Sequence, residues 1–251
     1  MTRSETDRKL RAMCLSSMAH EYQRQSTDPI ATELPFEDRF QMMVDLEYQG
    51  RLKRKLDRLL RQSGIVHRDA SIADMYYGEE RNLHRATVER YASCIFISEG
   101  RNLLVMGPTG CGKTFLSSAL GIEACKREHS VRYTSLEELL IDIEMAGNDH
   151  ALVKRVLKHY RHPDLLIIDE FLRWKLTSTE ANQLFRIVNH RSDTKKPILI
   201  CSQYPCSEWT QQIEDPVNAD ALVDRLIHTP YKLFINENGR GKSMREVFSM
   251  R

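Results

Sequence analysis

Between residues 8 and 68 apolar side chains recur at helical spacing, as in Phe36, Phe40, Met43, Val44 and Leu46, and β-branched residues are few. This pattern predicts an all-α N-terminal part. Pro35 suits the first turn of a helix and Ser63-Gly64 a stop, so a long helical stretch is expected between them, with Gly50 marking where it could break. Residues 69–100 are mixed, with Gly78 and a polar run from Asn82 to His84, and read as a linker containing a short helix.

After Gly100 the grammar changes. Asn102-Leu103-Leu104-Val105-Met106 is a short apolar run ending in glycines, followed by a helical pattern from Thr114 to Glu128 and a strand pattern at Val131-Arg132-Tyr133. Further strand-like runs at Leu165–Ile168 and Ile198–Cys201 continue the alternation, which predicts an α/β domain over 69–251 with a mainly parallel sheet.

Composition narrows the setting. With 29% charged and 41% hydrophobic residues, the 251-residue chain has the balance of a folded soluble protein. Its apolar runs are too short to span a bilayer and its first residues are polar, which predicts a cytoplasmic protein without membrane attachment. Six cysteines at 14, 94, 111, 125, 201 and 206 form no close Cys-x-x-Cys pair, so reduced thiols are expected rather than disulfides or zinc. A net charge of +2 means that a nucleic-acid partner has to be sought in local basic clusters.

The strongest chemical signal is Gly107-Pro108-Thr109-Gly110-Cys111-Gly112-Lys113-Thr114, which fits G-x-x-x-x-G-K-T at every specified position and lies between a strand and a helix. Its glycines let successive backbone N–H groups turn inward, and the following helix adds its positive N-terminal end, so the loop with Phe115 suits the polyphosphate of ATP. Lys113 is placed to reach the β- and γ-phosphates and the Thr114 hydroxyl to ligate Mg²⁺. A second cluster, Gly239-Arg240-Gly241-Lys242-Ser243, lacks the upstream glycine and reads as the loop of a hairpin between Tyr231–Ile235 and Arg245–Phe248.

Leu165-Leu166-Ile167-Ile168 ends in Asp169-Glu170, the form of a Walker B element. Neighbouring side chains leave opposite faces of a strand, so Asp169 can serve the Mg²⁺ shell while Glu170 polarises the attacking water. The next strand runs into Ser202-Gln203, which makes Gln203 a candidate sensor of the γ-phosphate. Arg225, in a short helical segment, is a candidate for the arginine that one subunit supplies to its neighbour's phosphate, with Arg191 as the alternative.

Basic residues gather at Arg51, Lys53, Arg54, Lys55, Arg58 and Arg61, opposite a stripe of Leu52, Leu56, Leu59 and Leu60, with Asp57 as the one acid among them. Two readings stay open here: contact with the phosphates of duplex DNA, or a solvated helix face. Lys154, Arg155, Lys158 and Arg161 form a weaker group before the Asp169 strand, and Arg173 with Lys175 follows it. His159 and His162 read as solvent-facing. Trp174 and Tyr204 could stack on bases or pack inward.

Taken together, these residues resemble the IstB-type helper ATPases of bacterial insertion sequences, relatives of the helicase loader DnaC in the AAA+ group. The resemblance runs through Lys9–Met13, Met18-Ala19, Leu34–Arg39, Glu99–Leu104, the phosphate loop, Asp164–Glu170, Gln203–Pro205, Glu208-Trp209 and Asp224–Leu226. It implies a homo-oligomeric, DNA-coupled ATPase that binds duplex DNA, acts in transposition and engages a transposase. On this reading residues 1–68 serve DNA binding or oligomerisation and 69–251 form the AAA+ ATPase domain. Gln203 departs from the Asn usual at the sensor position, and Cys111 from a small residue, which adds a thiol expected to be reactive. The 26 residues after Arg225 read as strands, too few for a helical lid, so a neighbouring subunit is expected to close over the nucleotide. The rival functions are a helicase loader on the same fold and a small-molecule P-loop kinase.

Overall fold

The computed structural model describes residues 3–78, 81–147, 149–236 and 244. Its strands are β1 (Leu103–Met106), β2 (Val131–Ser135), β3 (Leu165–Phe171), β4 (Ile198–Ser202) and β5 (Tyr231–Phe234). They form one sheet in the order β2-β3-β4-β1-β5, with every pair parallel. A parallel sheet is covered on both faces, which is why β1, β4 and the first five residues of β3 are buried without alternation.

The helices are α1 (Arg3–Ala12), α2 (Ser16–Thr27), α3 (Pro29–Glu33), α4 (Phe36–Ser63), α5 (Arg85–Ala92), α6 (Ile95–Ser98), α7 (Lys113–Lys126), α8 (Leu136–Ala146), α9 (His150–Arg161), α10 (Ser178–Asp193) and α11 (Pro216–Ile227). Local sequence starts several of them. Ser135 with Glu138 and Thr177 with Glu180 close capping boxes at α8 and α10, while Asp215 caps α11 ahead of Pro216. One core cluster gathers the inward faces of α8, α10 and α11 on β3 and β4, with Trp209 fully buried against Phe171. Trp174 and Tyr204 pack against the same cluster, as the inward alternative for them expected.

The chain divides into two compact units, Met1–Arg58 and Leu59–Arg251. The division falls within α4, ten residues before the expected boundary at 68/69. Gly50 does not break that helix. A Cβ there would stand 2.7 Å from the Ser17 hydroxyl, so its role is the close approach of α2 to α4. Residues 69–100 are no linker either: Val88, Tyr91, Cys94, Phe96 and Ile97 are buried, and α5 packs on α7. Among the described residues no helix is long and apolar enough to cross a membrane. The second glycine cluster, 239–243, and the run 245–248 lie outside the described residues; Tyr231–Phe234 pairs in parallel with β1 at one edge of the sheet.

Candidate nucleotide-binding site

The loop 107–112 leaves the end of β1 and feeds α7, whose first turn begins at Lys113. Lys113 Nζ turns back onto the loop and donates to the carbonyls of Gly107 at 2.7 Å and Pro108 at 3.0 Å. The ammonium is therefore held over the hollow of the loop, where an anion can take over from those carbonyls. Thr114, one residue on, donates to Asp169 Oδ2 at 2.7 Å. A hydroxyl and a carboxylate oxygen meeting at the start of α7 are hard oxygen donors of the kind Mg²⁺ takes, so the residues present fit that ion.

Asp169 has a second partner that sequence reading missed. Tyr133, on the neighbouring strand β2, donates its phenol to the same Oδ2 at 2.6 Å, and burial followed by the Asp169 charge raises the phenol's pKa, so it stays a donor. The signal was available only after pairing: β2 beside β3 in parallel register brings Tyr133 opposite Ile167, two residues before the acid. Asp169 is thus buried and fixed by two hydroxyls.

Glu170 stands differently. One extra residue in β3 relative to β4 between Ile168 and Phe171 makes a bulge, and Glu170 and Leu172 adopt left-handed φ of 52° and 55°. This turns Glu170 out to the exposed side, where its carboxylate pairs with Arg173 Nη1 at 3.2 Å. At the end of β4, Gln203 Oε1 accepts from the Thr109 hydroxyl at 2.9 Å, which brings the sensor candidate to the rim of the phosphate loop.

Thr109, Lys113, Thr114, Asp169, Glu170 and Gln203 line a cavity of about 470 Å³. Its other end was not legible as a site: His67, Met75, Tyr76 and Arg81 wall it beside Phe115, with the His67 and Phe115 ring centroids 6.1 Å apart. The cavity therefore has a polar end at the loop and, at residues 67–76, a wall where Met75 and Tyr76 with Phe115 supply apolar and aromatic surface beside His67 and Asp74, dimensions and character suited to a nucleotide.

Cys111 corrects an expectation. Its side chain is 1% exposed, and burial raises its pKa, against the pull of Lys113, so the loop thiol is protonated and shielded rather than reactive. Arg191 is a second correction. It is fully buried, and its Nη1 donates to the carbonyls of Tyr160, Arg161 and Pro163 while Nη2 donates to those of Asp164 and Pro197. A side chain so enclosed cannot be offered to a neighbouring subunit. Arg225 is half-buried on α11, with Nε on Asn189 Oδ1 at 2.7 Å and its guanidinium 4.8 Å from the Phe185 ring, away from its own chain's cavity.

A model of the family described as IstB-like ATP binding protein matches residues 8–247. The chain belongs to this family. This IstB-like protein is 29% identical over 247 residues to the insertion sequence ATP-binding protein y4uH of Sinorhizobium fredii, covering 98% of this chain and 97% of that one. It is 31% identical over 239 residues to y4pL of the same organism, covering 94% of each, and 27% identical to the ATP-binding protein of insertion sequence IS21 from Pseudomonas aeruginosa, covering 85% and 79%. Among solved structures, DnaI matches with a TM-score of 0.57 at 21% identity, covering 71% of this chain and 93% of that one. The DnaC helicase loader matches at 0.56 and 17%, covering 66% and 97%, and AMPPCP-bound DnaA from Aquifex aeolicus at 0.55 and 21%, covering 66% and 50%. At these identities the structures show the shared AAA+ P-loop fold.

The basic groups of the IstB-like protein differ in the partners that packing gives them. Glu47, overlooked in the sequence, is buried; its Oε1 accepts from Arg51 Nε and Arg54 Nη2, both at 3.0 Å, while Oε2 accepts from the N–H groups of Ser17 and Met18 at the start of α2. Burial alone would raise the Glu47 pKa; the Arg51 bond and the two N–H groups outweigh it and hold the carboxyl below its ordinary value. Arg51 and Arg54 thus pair with Glu47 while their own side chains stay 56% and 53% exposed, and Asp57 is not the only acid beside the basic run. Lys53 and Arg58 are exposed on α4, whereas Lys55 is half-buried. Arg173 is paired with Glu170 as above, and Lys175 is exposed. On α9, Lys154, Arg155, Lys158 and His159 face solvent, as does His162 beyond its end, while Arg161 donates to the Arg186 carbonyl at 2.7 Å.

Proposed function

We propose that this IstB-like protein hydrolyses Mg²⁺-ATP and uses the nucleotide state to control its assembly on duplex DNA, where it engages a transposase. The observation that carries the catalytic part is the division of labour at the end of β3. Asp169 is locked by the Thr114 and Tyr133 hydroxyls, while its neighbour Glu170 is turned outward by the bulge and remains accessible. Lys113 would neutralise the β- and γ-phosphates, Thr114 and Asp169 would hold Mg²⁺, which would supply charge stabilisation at the transferring phosphoryl group, and Gln203 at the loop rim would sense the γ-phosphate. Glu170 takes the proton of the attacking water.

Arg225, lying outside its own chain's cavity and on an accessible helix, suits the arginine given in trans to the next subunit of a homo-oligomer. Lys53 and Arg58 supply phosphate contacts to DNA, and Lys175 is a further candidate. The transposition reading is preferred because the insertion-sequence relatives match this chain nearly end to end, whereas the helicase loaders share the fold at 17–21% identity.

The experiment is Glu170→Gln. ATP binding is expected to persist, measured with a fluorescent analogue, while turnover falls by about 10²–10⁴-fold. A variant that hydrolyses ATP at the wild-type rate removes Glu170 from the role of base. Co-precipitation with a replicative helicase but not with a transposase would turn the reading toward a loader.

A further inference from the structure

Arg81 belongs to no nucleotide-binding motif, yet three segments of the site meet on it. It is 2% exposed and lines the cavity. Nη1 donates to the Tyr76 carbonyl in the apolar wall, and Nη2 donates to the Cys111 carbonyl in the phosphate loop at 2.5 Å. The main-chain carbonyl of Arg81 in turn accepts from Asn236 N at 2.8 Å, just beyond β5. The guanidinium lies against the loop itself, since a Cβ on Gly112 would stand 3.0 Å from Nη2.

We propose that Arg81 is a positioning residue that couples the two ends of the nucleotide site, so that filling the base-side wall organises the phosphate loop and the reverse. The physical reason lies in the Cys111-Gly112 peptide. In a trans peptide the carbonyl and the following N–H point in opposite directions, so a donor fixed on the Cys111 carbonyl also fixes the direction of the Gly112 N–H, one of the groups a phosphate loop turns toward its anion. The planar guanidinium carries its donors in a rigid fork, so the distance between Tyr76 and Cys111 is set by one flat group rather than by a flexible tether. Both bonds are charge-assisted and shielded from water, which makes them stiff. A lysine keeps the charge but has no fork: its ammonium is a single point on a flexible stem, which can bond carbonyls without holding Tyr76 and Cys111 at a set separation.

The proposal rests on a nucleotide occupying this cavity, and its test separates the two statements. Hydrogen exchange is followed on the full chain with ATP, with adenosine alone and with inorganic tripolyphosphate alone. In the wild type adenosine, which has no phosphate, is expected to slow exchange at 110–114, and tripolyphosphate, which has no base, to slow it at 75–77. In Arg81→Lys each ligand protects only its own end. The affinity advantage of ATP over tripolyphosphate also falls by at least about fivefold, the lower range of coupling between linked sites. Protection confined to each ligand's own end in the wild type overturns the proposal whether or not Arg81→Lys folds, as does cross-protection that survives in a folded Arg81→Lys. Loss of affinity for both ligands in equal proportion, without change in their ratio, reduces Arg81 to a prop for the loop and also overturns it. If ATP itself protects neither end of the wild type, the nucleotide-site reading fails, and the coupling with it.

Discussion

Arg191→Met offers a direct measure of what a buried cation contributes here. Arg191 collects five main-chain carbonyls: two from the last turn of α9, two from the entry to β3 and one from the entry to β4, at 2.7 to 3.3 Å. Burial pulls its pKa down to about 9, with the Asp164 carboxylate opposing that fall, so the side chain is charged at neutral pH. Methionine fills much of the volume and removes the cost of burying a charge, yet leaves the carbonyls without their donor. A buried acceptor stripped of its partner costs about 1–3 kcal/mol. Of the five, the two at the helix end can recover part of this by tightening the last turn or reaching water. The loss is then about 3–5 kcal/mol, comparable to removing one partner of a buried ion pair. For a domain of 150–250 residues, about 2–4 °C of melting temperature goes with each kcal/mol, so the midpoint should drop by about 6–20 °C. Circular dichroism melts of Arg191→Met beside Arg225→Met are the assay. Arg225 is half-buried and, among the described residues, its side chain bonds the Asn189 side chain and the Ala221 carbonyl, so its variant should melt within a few degrees of wild type while losing ATP turnover in the assembled state. An Arg191→Met midpoint within about 2 °C of wild type would refute the argument, since it would mean that less than about 1 kcal/mol rides on the five carbonyls.

Two further outcomes follow from the same geometry. Reversing Lys53 and Arg58 to glutamate should weaken duplex DNA binding and flatten its salt dependence, by about 0.9 in the log–log slope for each phosphate that is no longer neutralised; unchanged affinity returns these residues to a solvated face. Arg54→Glu is the wrong variant for that purpose, because it also breaks the Glu47 cluster. In native protein at pH 7 to 8, iodoacetamide should label the exposed Cys14 while sparing the buried Cys111, whose pKa burial raises in favour of the thiol; equal labelling by mass spectrometry would show the loop to be open.

Much of the site could be read along the chain because its parts are contiguous. A phosphate loop consists of eight successive residues whose glycines and Lys-Thr act through local backbone geometry, and Asp169-Glu170 follows directly from the apolar run of its own strand. The parallel sheet was likewise written in short apolar runs separated by helical patterns. Other members of the site are distant in sequence and ordinary in type. Tyr133 reaches Asp169 across 36 residues and Arg81 reaches Cys111 across 30, and neither carries a local signature.

Burial was equally beyond the sequence. Arg191 and Arg225 read alike, as cations on helices flanking a strand, and only packing enclosed one among carbonyls and left the other on an accessible face. Gly50 looked like a helix break because its intrinsic propensity is poor, whereas the close approach of Ser17 gave that position its use. Along the chain Asp57 looked like the one acid beside the basic run, whereas the buried Glu47, four residues before Arg51 and seven before Arg54, pairs with both while they stay exposed. Sequence by itself determined the fold class, the phosphate loop and the carboxylate pair, because backbone geometry and periodicity are local properties. Tertiary structure alone decided which charged groups are committed to packing and which remain free for chemistry, because desolvation and hydrogen-bond partners are set by neighbours that the chain brings together only on folding.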